Sequence, residues 1–280
     1  MIRRIWALLK ATIDGYVEDN ALSHGAAIAY YTIFALAPVL VIVIAIAGLA
    51  FGQEAAEGAI SGQIEGLMGH DAAMAIQGMI RSAGNHKSGV IATVIGVLTL
   101  LITASGVFGE MQSSLNLIWR ADPPTGTVTR LVRARAASLG LVAALGFLMM
   151  VSLVISAGLT ALSDLMNQTL PGAKILLRGL NFLISFTLIS VLFGAIYKIL
   201  PDKRIEWRDV TIGAVVTALL FTIGKTAIGL YIGSSAVASS FGAAGAFAVV
   251  LVWIYYSSQI FLLGAEFTRA YAERHGSHSG

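Results

Sequence analysis

Apolar residues gather in six long runs, at residues 27–51, 89–108, 137–162, 176–200, 210–232 and 243–267, with short polar stretches between them. Each run holds roughly 20–27 residues, enough to cross about 30 Å of hydrocarbon at about 1.5 Å per residue. The pattern predicts an all-α polytopic membrane protein with six transmembrane helices. Ahead of the first run, Ile2, Ile5, Trp6, Leu9, Ile13, Tyr16 and Val17 recur at helical spacing, with basic residues on the other side. That is the signature of an amphipathic helix lying in a membrane interface. The polar stretch 52–88 carries two shorter patterns, Ile60, Ile64, Leu67 and then Ile76, Met79, Ile80, joined near Gly69–His70–Asp71. They predict two small helices forming a short outer cap between spans 1 and 2. The chain thus divides into an interfacial helix over 1–26, a membrane domain over 27–268 with its outer loop at 52–88, and a short polar tail over 269–280.

Charge then orients the spans. The segments that share a side with the N-terminus hold Arg3, Arg4, Lys10, Arg120, Arg130, Arg133, Arg135, Lys198, Lys203, Arg204, Arg208, Arg269 and Arg274. The opposite side holds Arg81, Lys87, Lys174 and Arg178. Lys and Arg concentrate in cytoplasmic loops, so both termini are expected in the cytoplasm. Residues 1–24 lack the apolar core and small-residue cleavage site of a secretory signal.

Composition narrows the chemistry. With 57% hydrophobic and 12% charged residues and a mean hydropathy of +0.82, the chain is no soluble enzyme, secreted disulfide scaffold or disordered segment. It has no cysteine, which excludes disulfides, thiolate metal sites and cysteine nucleophiles. The five histidines lack metal-ligand spacing, so no metal and no cofactor is expected. Gly224–Lys225–Thr226 resembles the end of a phosphate-binding loop, but Leu219 stands where its first glycine belongs, and the segment is mid-span. The net charge of +3 follows the membrane topology, so it does not indicate a nucleic-acid partner.

A few residues stand out against the apolar background. Lys225 lies inside the fifth span, on a stripe with Thr211, Ala214, Ala218, Thr222 and Gly229. A charge at the centre of a span costs at least about 2.5–3.5 kcal/mol. Lys225 therefore either faces a polar bundle interior or snorkels outward past Ile232. Glu266 lies near the cytoplasmic end of the sixth span on a stripe with Tyr255 and Gln259, too far along the bundle to pair with Lys225. Arg269 is its nearer partner. Glu110 closes the second span and leads into Gln112, Ser113, Ser114 and Asn116. Together these groups either line an inner vestibule or solvate helix ends. Pro38 interrupts the first span about two turns after Tyr30 and Tyr31, as a hinge or as a tolerated kink.

Four stretches carry a family resemblance: SHGAAIAYYTIFALAPVL at 23–40, ASGVFGEMQSSLNLIW at 104–119, Leu200–Pro201 followed by Trp207 and Gly213–Ala214, and SFGAAGAFAVVLVWIYYSSQIFLLGAEFT at 240–268. Together they resemble the YihY/BrkB family of bacterial inner-membrane proteins over about residues 10–270. Phe241 departs from the tyrosine expected there, and the tail is shorter than that of many relatives. The resemblance implies a bacterial inner-membrane location and links to virulence and envelope lipid export. A ribonuclease label has also been attached to such proteins, but no carboxylate or histidine cluster outside the bilayer could build a nuclease site. The expected function is a non-enzymatic transporter or flippase-like protein, not driven by ATP, for an anionic envelope lipid or amphiphile. Lys225, Thr222, Tyr30, Tyr31, Tyr255 and Gln259 would line its pathway, with Pro38 as the hinge and Glu110, Asn116 and Glu266 at the inner mouth. The alternative is a structural or partner-binding membrane subunit of an envelope complex, with a nuclease ranked last. The expected partners are the bilayer, an anionic lipid and envelope proteins.

Overall fold

The computed structural model describes residues 2–84, 106–121, 173–234 and 237–276. The regular structure in these residues is helical throughout. Most of the second apolar run, all of the third, and Arg130, Arg133 and Arg135 lie outside the described residues.

Helix α1 (Ile2–Glu18) carries the N-terminal amphipathic pattern. The pattern does not continue to residue 26. Asn20 takes a left-handed conformation at φ 51°, which ends α1, and helix α2 (Ala21–Phe51) starts several residues before its apolar run. Asparagine is among the few residues other than glycine that tolerate this conformation. Helix α2 runs through Pro38 as one element of 31 residues. The side chain of Pro38 is outside the described residues.

Two glycines with φ of 87°, Gly52 and Gly69, turn the chain into helix α3 (Gln53–Met68) and helix α4 (His70–Gly84). Only glycine adopts this backbone conformation without strain. Ile60, Ile64 and Ile76 point inward from the α3–α4 hairpin and are buried with Ile44 of α2. Helix α5 occupies residues 106–118. Helix α6 (Ala173–Ile199), helix α7 (Trp207–Ser234) and helix α8 (Val237–His275) complete the described chain. Helix α8 continues through Arg269 to His275, so the first residues assigned above to a polar tail are its last two turns, with Ala270 and Ala272 buried.

Among the described residues, three helical stretches are long and apolar enough to cross a membrane: Gly179–Ile199, Trp207–Leu230 and Ala244–His275. Their outward faces are apolar, as in Leu183, Val191, Ile223 and Leu230, the last 72% exposed. Such surfaces suit lipid and would aggregate in water.

Helix α8 is the central element, with α1, α2 and α7 packed along it. One core joins α5, α6 and α7 to its C-terminal half through Leu115, Tyr197, Leu200 and Leu262; the other joins α2, α3 and α4 to its N-terminal half through Val250 and Ile254. The antiparallel register of α7 on α8 sets Gly213 against Thr268, Thr217 against Gly264, and Gly224 against Tyr256 and Ile260. At Gly264 a Cβ atom would stand 2.6 Å from the Tyr197 hydroxyl and closer still to Thr217 Oγ1. Only a glycine fits between them. The buried Tyr197 hydroxyl donates to the Phe261 carbonyl at 2.7 Å and lies 3.2 Å from Thr217 Oγ1.

This contact yields a test. Gly264→Ala should destabilise the protein by about 1–3 kcal/mol, the usual cost of over-packing, read as a lower unfolding temperature in detergent. Gly229→Ala, where a Cβ meets nothing within 4 Å, should leave that temperature unchanged.

Candidate functional site

The chain link between α1 and α2 carries the densest cluster of charge in the described residues. Asp19 ends up buried there, with its side chain 2% exposed. A buried carboxylate needs cations and hydrogen bonds to persist. Arg120 reaches it at 2.9 Å and Arg269 at 3.4 Å. Arg120 also meets Glu18 at 3.4 Å, and Arg269 meets Glu273 at 2.9 Å and Glu266 at 3.9 Å. Glu266 is as buried as Asp19 and faces it. The network joins α1, the end of α5 and the end of α8.

Backbone geometry delivers these groups. After α5, the Ala121 amide donates to the Asn116 carbonyl at 2.9 Å and the Arg120 amide to that of Leu117 at 3.1 Å. This is the helix-ending motif that places its penultimate residue in the left-handed region. Glycine usually occupies that position, but here it is Arg120 at φ 48°. The two non-glycine residues with positive φ among those described are therefore Asn20, next to Asp19, and Arg120, paired with Asp19. Backbone strain of this kind persists where surrounding contacts over-determine the geometry, and both cases converge on one carboxylate.

Helix α1 can approach α8 closely because Gly15 faces Glu266; a Cβ there would stand 2.6 Å from Glu266 Oε2. The other carboxylate oxygen of Glu266 is buried with no hydrogen-bond partner among the described residues. One turn of α8 plus three residues earlier, Gln259 accepts a hydrogen bond from Tyr16 and donates to the Leu22 carbonyl at 3.3 Å. Burial, and then the neighbouring Tyr255, push the Tyr16 phenol up to about 12. It therefore stays a donor to Gln259 at physiological pH.

The other polar residues near this end are tied in as well. Glu110 lies 2.9 Å from His24. Asn116 donates to Asp202 at 2.8 Å and accepts from the Asp202 amide at 2.8 Å, fixing the turn between α6 and α7. Lys203 donates to the Trp119 carbonyl at 2.9 Å. The structure thus places Glu110, Asn116 and Glu266 on α5 and α8, each with a protein partner of its own.

The pathway residues are more dispersed. Lys225 is half-buried on α7 and makes no hydrogen bond or ion pair with the described residues. Thr222, one turn before it, donates to the Ala218 carbonyl at 2.7 Å. The α7–α8 register puts Lys225 near Tyr256, about 9–15 Å of helix rise from Glu266. That is closer than counting from span ends implies, and still no ion pair joins the two. Tyr30 and Tyr31 are 59% and 40% exposed on α2. Tyr30 packs edge-on against Tyr31 and Phe34, and Tyr31 lies against Gly106. Helix α8 lies between α2 and α7, so the described residues bring Gln259 and Tyr255 near Tyr16 but leave Lys225 and Tyr30 apart. No group of three or more His, Asp or Glu able to hold a metal occurs among the described residues.

The sequence matches the virulence factor BrkB family over residues 12–280. The chain belongs to that family. It is 23% identical over 269 residues to a UPF0761 membrane protein of Rhodospirillum centenum, covering 95% of this chain and 57% of that one. It is 28% identical over 283 residues to a UPF0761 membrane protein of Alcanivorax borkumensis, covering 95% and 60%. A further relative, from Vibrio parahaemolyticus, is 28% identical over 275 residues, covering 96% and 83%. The chain thus spans less than two thirds of the first two relatives. No solved structure matches it. This BrkB-family chain is an integral membrane protein.

Sequence reasoning missed Asp19, Arg120 and Tyr16 as site residues. Asp19 and Tyr16 read as part of an amphipathic helix, and Arg120 as one more topological charge. The available signal was Asp19–Asn20, a helix-breaking pair directly before an apolar helix. Replacing Asp19 by alanine leaves two guanidiniums without their shared anion. Breaking a buried pair costs about 3–5 kcal/mol, and the half-exposed Arg120 places the expected loss at the lower end. Glu18→Ala, at an exposed pair, should cost no more than about 1 kcal/mol. Equal unfolding midpoints in detergent for the two variants would refute the central place of Asp19.

Proposed function

We propose that this BrkB-family chain is a flippase-like transporter of an anionic envelope lipid or related amphiphile, non-enzymatic and not driven by ATP. The observation that carries this reading is Lys225. It is a cation within the Trp207–Leu230 span, half-buried and unpaired among the described residues. An ammonium in that setting costs free energy until an anion meets it. A phosphate or carboxylate head group supplies such an anion, and Thr222 adds a hydroxyl one turn away. In this reading the protein sits in the bacterial inner membrane with six spans and both termini cytoplasmic, following the distribution of Lys and Arg. The Asp19 network then lies at the cytoplasmic end. There it fixes α1 and α8 around the inner mouth, where Glu110, Asn116 and Glu266 stand.

A second reading is a partner-binding subunit of an envelope complex. It draws on the α3–α4 hairpin, where Glu54, Glu57, Ser61, Gln77 and Arg81 border an open cleft of about 250 Å³. Ile60, Ile64 and Ile80 line it beside these polar groups, the mixture of apolar centre and polar rim that protein-binding surfaces show.

Lipid scrambling in proteoliposomes tests both. The probe is a head-group-labelled phosphatidylglycerol with a membrane-impermeant quencher, at matched protein density. The expected result is that wild type exposes the inner-leaflet label and Lys225→Met slows this at least tenfold. Equal rates for the two proteins would remove Lys225 from the path. A wild-type rate equal to that of empty vesicles would overturn the transport of this lipid, and a stoichiometric cross-linked partner would then establish the second reading.

A further inference from the structure

Helix α1 has three distinct faces. Thr12, Gly15, Tyr16 and Asp19 point toward α8 and the chain link. Ile5, Trp6, Leu9, Ile13 and Val17 form an exposed apolar stripe, with Trp6 70% exposed. Arg3, Arg4, Lys10, Asp14 and Glu18 are exposed on the remaining arc. A helix packed on protein with one side, and divided into apolar and polar arcs on the others, fits a position in the interfacial plane of a bilayer.

At its N-terminal end the polar arc meets the last turn of α8. Arg3, Arg4, Ala7, Arg274 and His275 border an open, shallow cavity of about 450 Å³, with all three arginines exposed. No acidic residue lines it. Arg3, Arg4 and Arg274 make no ion pair or hydrogen bond with the described residues. Arg120 and Arg269, by contrast, are each engaged by two or more carboxylates. The same end of the molecule therefore holds one arginine group that is neutralised within the protein and one that is not. Three guanidiniums around one cavity repel one another unless an anion enters. The guanidinium fork matches phosphate oxygens in pairs.

We propose that this corner of α1 and α8 binds the phosphate of an anionic phospholipid head group, while the apolar stripe of α1 seats beside the same lipid's acyl chains. The adjacency of the two surfaces selects a lipid over a free anion or an acidic peptide, because one amphiphile satisfies both. Arg3 and Arg4 come from the first turn of α1, and Arg274 and His275 from the last turn of α8, so the site needs both helices. It does not depend on Lys225 or on transport.

Calorimetric titration of the purified full-length protein in neutral detergent tests the proposal, with dioctanoyl-phosphatidylglycerol, dioctanoyl-phosphatidylcholine and inorganic phosphate as separate probes. The expected result is saturable binding of the phosphatidylglycerol, at least tenfold tighter than either other probe. The combined Arg3→Gln, Arg4→Gln and Arg274→Gln variant should lose at least tenfold of that affinity with an unchanged unfolding temperature. Arg208→Gln, at an exposed arginine outside this cavity, should bind as wild type, which ties the loss to this corner and not to positive charge in general. Unchanged binding by the triple variant would overturn the proposal. So would equal binding of inorganic phosphate, which would make the corner a free-anion site, or equal binding of the phosphatidylcholine.

Discussion

Lipid tails are as apolar as leucine, so no hydrophobic force pulls one membrane helix onto another. Close van der Waals contact and hydrogen bonds between helices have to do so. Helix α8 meets that constraint by trading volume with its neighbours. Where it carries Thr268, α7 carries Gly213; where α7 carries Thr217, α8 carries Gly264. The helices then approach closely enough for a third, α6, to insert the Tyr197 hydroxyl between them. The small residues and the buried Tyr197 hydroxyl are two halves of one arrangement, since that hydroxyl would lose its Phe261 acceptor and be left unsatisfied in hydrocarbon at greater separation; Thr217 and Thr268 donate within their own helices.

The same logic acts at the Asp19 end with charges in place of hydroxyls. Gly15 lets α1 settle on Glu266, and Gly25 receives Gln259. The chain link holds Asp19 between two arginines from distant segments. A carboxylate buried in this way contributes little net stability compared with an apolar replacement, but it is costly to leave unpaired. Its effect is to fix the orientation of α1, and that orientation leaves the apolar arc of α1 exposed and sets Arg3 and Arg4 beside Arg274.

The α3–α4 hairpin was legible because its inward positions recur at helical spacing and its corners need glycine. Ile60, Ile64 and Ile76 identify themselves without knowledge of what they touch. The roles of the polar residues were not legible in this way. Glu266 was read beside Arg269, a neighbour one turn away, but not beside Asp19. The bond from Arg269 to Asp19 spans 250 positions, and that from Arg120 to Glu18 spans 102. Arg120 looked like one topological charge among many because its φ of 48° is set by how α5 ends. Gln259 stood out on its own helix face, but its hydrogen bond from Tyr16 joins residues 243 positions apart and is not visible in the sequence.

Sequence by itself determined that the protein is a helical membrane protein, and it located the described apolar helices to within several residues. Preference for lipid or water belongs to each residue separately, so it survives in a one-dimensional pattern. Tertiary structure alone decided which charges are neutralised and which remain open. Whether a guanidinium is satisfied depends on the approach of a carboxylate from another helix. That approach depends in turn on where glycines allow two backbones to meet.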